Sequence, residues 1–222
     1  MGRFPTFSSL IVQEHPHWVL INKPSGLLVE QNPWEPSLES MCREYLEEKY
    51  RNPYVGIVHR LDRPTSGLLI MAKRKSALRK LNEMLARRQI RKSYWAISPR
   101  IEYASSGLLE HYLLRQPKQK KTKCFSSFQP GAKKAQLRYR FEQLDEDLLL
   151  WKIQLLTGRY HQIRAQLSHL GAPILGDELY GGKPHPSSAI ALHAHQLKFP
   201  ANDLDLPSSI QTFPTSNFPW TV

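Results

Sequence analysis

The chain has 222 residues, of which 41% are hydrophobic and 23% are charged, so it can bury a core without help from disulfides. Its two cysteines cannot build a disulfide framework and lack metal-ligand spacing, and no apolar run reaches the length of a membrane span. The net charge of +12 favours a polyanionic partner. These bounds predict one domain over residues 1–222, in a reducing compartment and away from membranes.

The N-terminal part of the chain alternates turns with short regular elements. Residues 1–10 show no clear pattern and are expected to be irregular. Residues 18–22 (WVLIN) predict a strand, which ends at the turn formed by residues 23–26 (KPSG). Ser37 is a suitable N-cap for a helix that reaches about Tyr50, because apolar residues follow it at helical spacing.

Residues 59–67 (HRLDRPTSG) place one carboxylate, Asp62, in a loop that precedes an apolar run of buried-strand length. Pro64 fixes the backbone and lacks an N–H group, so this segment is neither a helix interior nor a central strand. Loops held by a buried strand often carry catalytic groups. The alternative is that Asp62 only forms a salt bridge with Arg60 or Arg63.

The middle of the chain predicts a helix, a strand and an irregular basic stretch. Apolar residues recur on one face between residues 75 and 88, which predicts a helix. The aromatic-rich residues 93–98 predict a strand that Pro99 closes. Residues 106–130 are poorly patterned, and we expect a long loop or a ragged hairpin there.

The remaining elements favour an antiparallel sheet. Residues 135–144 and 148–155 predict a pair of strands, and a helix is predicted from about His161 to Leu170. Residues 190–197 are expected to form the last strand, and residues 200–222 to be irregular. Because strands follow one another without regular βαβ alternation, the pattern predicts an α+β fold.

The positive charge is clustered in two stretches. Residues 116–140 contain no acidic residue, and residues 73–92 contain only Glu83. Such clusters are typical of a surface that contacts phosphates. The alternative is a solvated basic face. The first stretch carries Lys118, Lys120, Lys121, Lys123, Lys133, Lys134 and Arg138, and it ends at Arg140.

Six blocks in one order resemble the RluA-type pseudouridine synthases. They are NKPSG (22–26), HRLDRPTSG (59–67), RKSYWA (91–96), TGRYHQIR (157–164), GDELYG (176–181) and LHA (192–194). The resemblance implies an α+β pseudouridine synthase fold, in which helices flank a long, mixed and mostly antiparallel sheet with a central catalytic cleft. It also implies isomerisation of uridine to pseudouridine in structured tRNA or rRNA, by a cytoplasmic enzyme that we expect to be a monomer.

The resemblance also implies the site residues. Asp62 would be the nucleophile or base, Arg164 its positive partner, and Tyr94 a stacking and proton-transfer group. Arg60 would enter the RNA stack when the uridine is flipped out. The implied RNA-binding residues are Arg60, Arg63, Lys92, Arg159 and His161. Because the isomerisation has no redox change, we expect no cofactor and no metal.

Two other functions remain open from the residues. An RNA-binding protein that had lost catalysis would be expected to lack Asp62, Tyr94 or Arg164, and all three are present. An RNA hydrolase would need a positioned water and usually a second carboxylate. The next carboxylate motif, residues 177–178, lies in a glycine-flanked loop that we interpret as structural.

Overall fold

The structure is a computed structural model that describes residues 4–184, 189–215 and 220. The chain forms two compact units. Unit 1 comprises Met1–Ile90 and Ala194–Pro214, and unit 2 comprises Arg91–His193 and Thr215–Val222. The single-domain organisation predicted from the sequence stays a prediction.

The described residues contain four α-helices and eleven strands. The elements of the first part of unit 1 are α1 (Phe7–Leu10), β1 (Ile11–Glu14), β2 (Trp18–Lys23), α2 (Leu38–Glu47), β3 (Gly56–Ile57), β4 (Ser66–Ala72) and α3 (Lys75–Ala86). The next elements are β5 (Arg91–Pro99), β6 (Ser106–Gln116), β7 (Lys121–Phe125), β8 (Lys133–Gln143), β9 (Leu148–Leu155) and α4 (Gln162–His169). The last strands are β10 (Leu192–Lys198) and β11 (Ser209–Gln211), and two short 3₁₀ turns cover Pro117–Gln119 and Glu178–Tyr180.

In unit 1, β2 lies between β1 and β4, and all three are antiparallel neighbours. The register runs from Trp18 opposite Ala72 to Lys23 opposite Gly67. The side chain of Trp18 is fully buried, and its indole N–H donates to the Leu204 carbonyl at 2.7 Å. The residues that form this core are Trp18, Leu20, Val58, Leu68, Ile70, Ala72, Ala77, Leu81, Ile90, Leu197, Phe199, Leu204 and Leu206.

In unit 2, the antiparallel strand order is β5-β9-β8-β6-β7. Apolar residues alternate along β9, so that Leu149, Trp151 and Ile153 are buried. The Trp151 indole donates to the Ser98 hydroxyl at 2.8 Å, which satisfies a polar group inside the sheet core. Asp145 closes the β8–β9 turn by accepting two backbone N–H groups at 2.8 Å.

The α+β class predicted from the sequence is confirmed, and the structure corrects two segments. Of the two alternatives predicted for residues 106–130, the structure has the hairpin, β6–β7, in which β6 pairs with both β7 and β8 and buries alternate side chains. The N-terminal segment contains α1 because Phe7 and Leu10 are buried. The tail contains β11, which pairs with β10, so β10 is not the last strand. No helix in the described residues is both long and apolar enough to span a membrane.

Gly67 allows β4 to approach β10 closely. Its φ is +112°, and an added Cβ would lie 2.5 Å from the backbone nitrogen of Ala194 and overlap its carbonyl. Only glycine fits here, because backbone atoms cannot rotate away as a side chain can. The close approach of β4 to Ala194 therefore explains why glycine stands at residue 67, directly after the loop that carries Asp62.

We expect Gly67→Ala to lower the free energy of unfolding by roughly 3 kcal/mol or more, since the methyl group meets backbone atoms. Gly171→Ala is the matched control. Its φ is +82°, but an added Cβ meets nothing within 4 Å, so only strain of roughly 1 kcal/mol is expected. Urea unfolding of both variants measures the difference. Equal losses would show that the contact with Ala194 has no effect.

Candidate active site

Asp62 lies in unit 1, in the loop between β3 and β4, and is half-buried. The loop turns tightly at this position because the Thr65 N–H donates to the Asp62 carbonyl at 3.0 Å. Arg60 and Arg63, on either side of Asp62, each form an ion pair with a different carboxylate. Arg60 pairs with Glu30 at 2.6 Å, and Arg63 pairs through two nitrogens with Glu35 at 2.5 and 3.1 Å.

Lys23 is the buried cation that joins this loop to the turn after β2. Its side chain is 0% exposed, and its ammonium group donates to the carbonyls of Pro24, Leu27 and Arg63 at 2.8–3.0 Å. Burial lowers the pKa of Lys23 to about 7, and the Asp62 carboxylate opposes this shift. Lys23 is therefore a positive charge in unit 1 that interacts with Asp62.

The same turn and loop are joined by further hydrogen bonds to backbone carbonyls. The Gly26 N–H donates to the Arg63 carbonyl at 2.8 Å, and Arg63 Nε donates back to the Gly26 carbonyl at 3.0 Å. The Ser25 hydroxyl donates to the Pro64 carbonyl at 2.7 Å. The sequence predicts only a turn at Lys23, and the one signal for a larger role is that this lysine directly follows an apolar strand.

Arg164 lies in unit 2 on α4 and forms a buried ion pair. Its Nε and Nη2 donate to the two carboxylate oxygens of Asp177, both at 2.7 Å, and the two residues are 4% and 1% exposed. Two parallel hydrogen bonds make this a strong and directional pair. The structural role inferred for the loop at residues 177–178 agrees with this contact, and the pairing of Arg164 with Asp62 stays a prediction.

His161 and Tyr180 extend the ion pair. Arg164 Nη1 lies 3.2 Å from His161 Nε2, and His161 Nδ1 lies 3.1 Å from the Tyr180 hydroxyl. A guanidinium only donates, so Nε2 accepts and Nδ1 carries the hydrogen. Burial and Arg164 lower the pKa of His161 to about 3, while burial raises the pKa of Tyr180 to about 12. Both groups are thus neutral near pH 7.

Lys92, Tyr94 and Arg159 lie in unit 2 near the turn that precedes α4. Lys92 Nζ would be 3.5 Å from a Cβ added to Gly158, and burial lowers the pKa of Lys92. Tyr94 is two residues along β5 and is 6% exposed. Arg159 is exposed, donates to the Lys134 carbonyl at 3.1 Å and lines a pocket of about 330 Å³ together with Arg115.

We expect His161→Asn to alter the pH dependence of stability. Below about pH 6.5 the unfolded wild-type chain binds a proton that the folded chain does not bind until about pH 3, so the stability contributed by neutral His161 is lost as pH falls through this range. Asparagine tolerates the left-handed backbone at this position, where φ is +52°, and does not titrate.

Chemical unfolding at about pH 7 and about pH 4 measures this effect. The stability advantage of the wild type over His161→Asn should shrink at the lower pH. His17→Asn, which removes a histidine of unit 1, is the control. An advantage that is the same at both pH values would contradict the neutral state of His161.

The chain was compared with known proteins. Residues 17–169 match the family described as RNA pseudouridylate synthase. The chain is 33% identical over 178 residues to the ribosomal large subunit pseudouridine synthase D of Haemophilus ducreyi, covering 79% of this chain but 54% of that protein. This chain thus spans about half the length of the ribosomal large subunit pseudouridine synthases D that it matches. An uncharacterized RNA pseudouridine synthase of Haemophilus influenzae is 31% identical over 189 residues, with 85% of this chain and 81% of that protein covered.

The solved structure of human RNA pseudouridylate synthase domain containing 4 has a TM-score of 0.74, with 24% identity and coverage of 88% of this chain and 87% of that chain. The structure of human RNA pseudouridylate synthase domain containing 1 has a TM-score of 0.68, with 21% identity and coverage of 93% and 83%. At these identities the two structures support the fold alone.

Proposed function

The chain belongs to the RNA pseudouridylate synthase family, and on that premise we propose that it isomerises uridine to pseudouridine in a structured RNA. The observation that carries the proposal is the family match over residues 17–169, which includes Asp62, Tyr94 and Arg164. The reaction detaches the base from C1′, rotates it and reattaches it through C5. The proton lost from C5 is matched by one gained at N1, so the composition does not change and side chains are sufficient for the chemistry.

In this proposal Asp62 supplies the carboxylate that the reaction needs at the glycosidic bond. Attack on the sugar, attack on the base and removal of a sugar proton all remain open for it. The interaction with the neighbouring Lys23 ammonium favours the ionised carboxylate, and the tight loop supports a fixed position for it. Tyr94 stacks on the uracil and takes part in proton transfer.

The proposed RNA surface of unit 2 is the basic hairpin β6–β7. Two of its cations lie over aromatic rings of neighbouring segments, since Arg115 lies 4.6 Å from the Tyr160 ring centre and Lys121 lies 5.1 Å from that of the buried Tyr180. Cations that contact phosphates and a partly exposed ring such as Tyr160, on which a base can stack, are the two parts of a single-strand binding surface. Lys92, Arg159 and His161 belong to the same proposed surface.

Arg60 is proposed to fill the gap that a flipped-out uridine leaves in the RNA stack. Arg60 forms an ion pair with Glu30, and both side chains are more than half exposed, at 58% and 54%. An exposed pair of this kind contributes at most about 1 kcal/mol, so RNA can displace it. Arg63 is less available, because it binds both Glu35 and the Gly26 carbonyl.

The substrate, location and assembly are also proposals. The names of the relatives favour RNA of the large ribosomal subunit over tRNA. A cytoplasmic location and a monomeric enzyme stay predictions. Mapping pseudouridines in cells that lack the protein tests the RNA target directly.

We expect Asp62→Asn to abolish release of tritium from C5-labelled RNA while RNA binding persists, because the amide keeps the size but loses the carboxylate. Asp147→Asn, in the exposed turn between β8 and β9, is the control and should remain fully active. Turnover by a verified Asp62→Asn protein would remove Asp62 from the mechanism. Release of free uracil by the wild type would instead indicate a hydrolase, and binding without tritium release an inactive relative.

A second prediction concerns the salt dependence of RNA binding. Each phosphate contact should contribute about 0.7–0.9 to the slope of log K against log salt. Replacing Lys118, Lys120, Lys121 and Lys123 with glutamine should flatten that slope. The control replaces four lysines of other elements, namely Lys49, Lys152, Lys183 and Lys198. Equal slopes for the two quadruple variants would exclude β7 and its turn as the RNA-binding surface.

A further inference from the structure

Three potential metal ligands meet beside the β6–β7 hairpin of unit 2. His111 lies on β6, Cys124 on β7 and His169 at the C-terminal end of α4. One ligand atom from each lies within 4.8 Å of the other two. These residues take no part in the isomerisation proposed above, and the distances in sequence between them follow no metal-binding motif.

The sheet register explains why the side chains converge. Cys124 is directly opposite Leu113, and His111 is two residues from Leu113, so the three side chains project from the same face of the hairpin. The helix α4 covers that face through Ala165, which packs in one cluster with Leu113 and Cys124. His169 is one helical turn after Ala165 and therefore lies over the same face.

Both imidazole rings are held in orientation by a neighbour. His111 Nδ1 is 3.0 Å from Gln166 Nε2, and His169 Nε2 is 3.0 Å from the Ser126 hydroxyl. Gln166 is fully buried, and its Oε1 has no hydrogen-bond partner. Turning this amide would let Oε1 accept from His111 Nδ1–H and leave the other ring nitrogen as an electron-pair donor. Polar neighbours that orient ligating histidines in this way are typical of metal sites.

We propose that His111, Cys124 and His169 bind one Zn²⁺ ion, which ties the hairpin β6–β7 to the end of α4. Two imidazoles and a thiolate match the nitrogen and sulfur ligands that zinc prefers. Bonds of about 2.0 Å to nitrogen and about 2.3 Å to sulfur in a tetrahedron place these ligand atoms roughly 3.3–3.5 Å apart. The ligand atoms, which lie within 4.8 Å of one another, must therefore approach by up to about 1.5 Å, and the exposed His169 can do so by giving up its contact with the Ser126 hydroxyl. Water completes the fourth position.

We expect the bound metal to restrain the position of β7 relative to α4. The helix α4 carries Arg164, and β7 carries the basic residues of the proposed RNA surface. A metal that joins the two elements fixes their relative position without touching the reacting uridine. Zinc should therefore raise the stability of the chain and increase protection of β7 amides from hydrogen exchange.

The test uses the full chain after treatment with a chelator. Zn²⁺ is added in competition with a chromophoric zinc chelator, and Co²⁺ is added separately to detect the absorption of a thiolate–cobalt bond. The variants are Cys124→Ser and His169→Ala. Their matched controls are Cys42→Ser and His17→Ala, which remove a thiol and an imidazole of unit 1. Thermal unfolding with and without zinc supplies an independent readout.

We expect the wild type to bind one equivalent of zinc, to show the thiolate–cobalt absorption and to melt at a higher temperature with zinc. Each site variant should lose affinity by about 100-fold or more, while the controls retain it. Absence of stoichiometric binding by the wild type, or of the thiolate–cobalt absorption, would overturn the proposal even if a variant fails to fold. Equal affinity of the site and control variants would do so too. None of these readouts depends on catalysis, so the two proposals fail independently.

Discussion

The buried ammonium group of Lys23 is the constraint on which the Asp62 loop depends. A charge without solvent is costly, and Lys23 offsets this cost by donating to three backbone carbonyls. One of these carbonyls belongs to Arg63, immediately after Asp62. The turn after β2 and the loop before β4 are thus held together by one side chain. Because β2 and β4 are paired up to Lys23 and Gly67, the sheet itself fixes where that side chain lies.

In unit 2, the cost of burying a charge is offset by an ion pair and not by backbone carbonyls. Arg164 is buried, but Asp177 neutralises it through two hydrogen bonds, and His161 accepts a third. Such a pair is directional, so it fixes the guanidinium more firmly than a single contact would. Tyr180 links the network to β7, because its hydroxyl accepts the Thr122 N–H at 2.8 Å. The helix α4 and the basic hairpin therefore share one hydrogen-bonded framework.

The sequence predicted elements well where the signal is local. Ser37 caps α2 with a reciprocal hydrogen bond to Ser40, and β9 has the alternation that its sequence indicates. For residues 106–130 the sequence predicted only a long loop or a ragged hairpin. The frequent basic residues obscure the alternation of buried and exposed side chains in β6 and β7, which becomes apparent when the strands pair. Tertiary contacts were also out of reach. The pair of Arg164 with Asp177 and the convergence of His111, Cys124 and His169 both depend on elements that are distant in sequence.

The composition of the unit 1 core has a consequence during translation. Leu197 and Leu204 belong to this core, and the Leu204 carbonyl accepts the Trp18 indole N–H. A ribosome that has released residues 1–90 has therefore made a core that lacks β10 and the residues after it. At a synthesis rate of roughly 5–20 residues per second, the missing segment emerges roughly 5–20 s later, after all of residues 91–193. During that interval the nascent N-terminal strands expose apolar side chains that the longer chain buries, and a premature stop codon before residue 194 leaves these side chains exposed permanently.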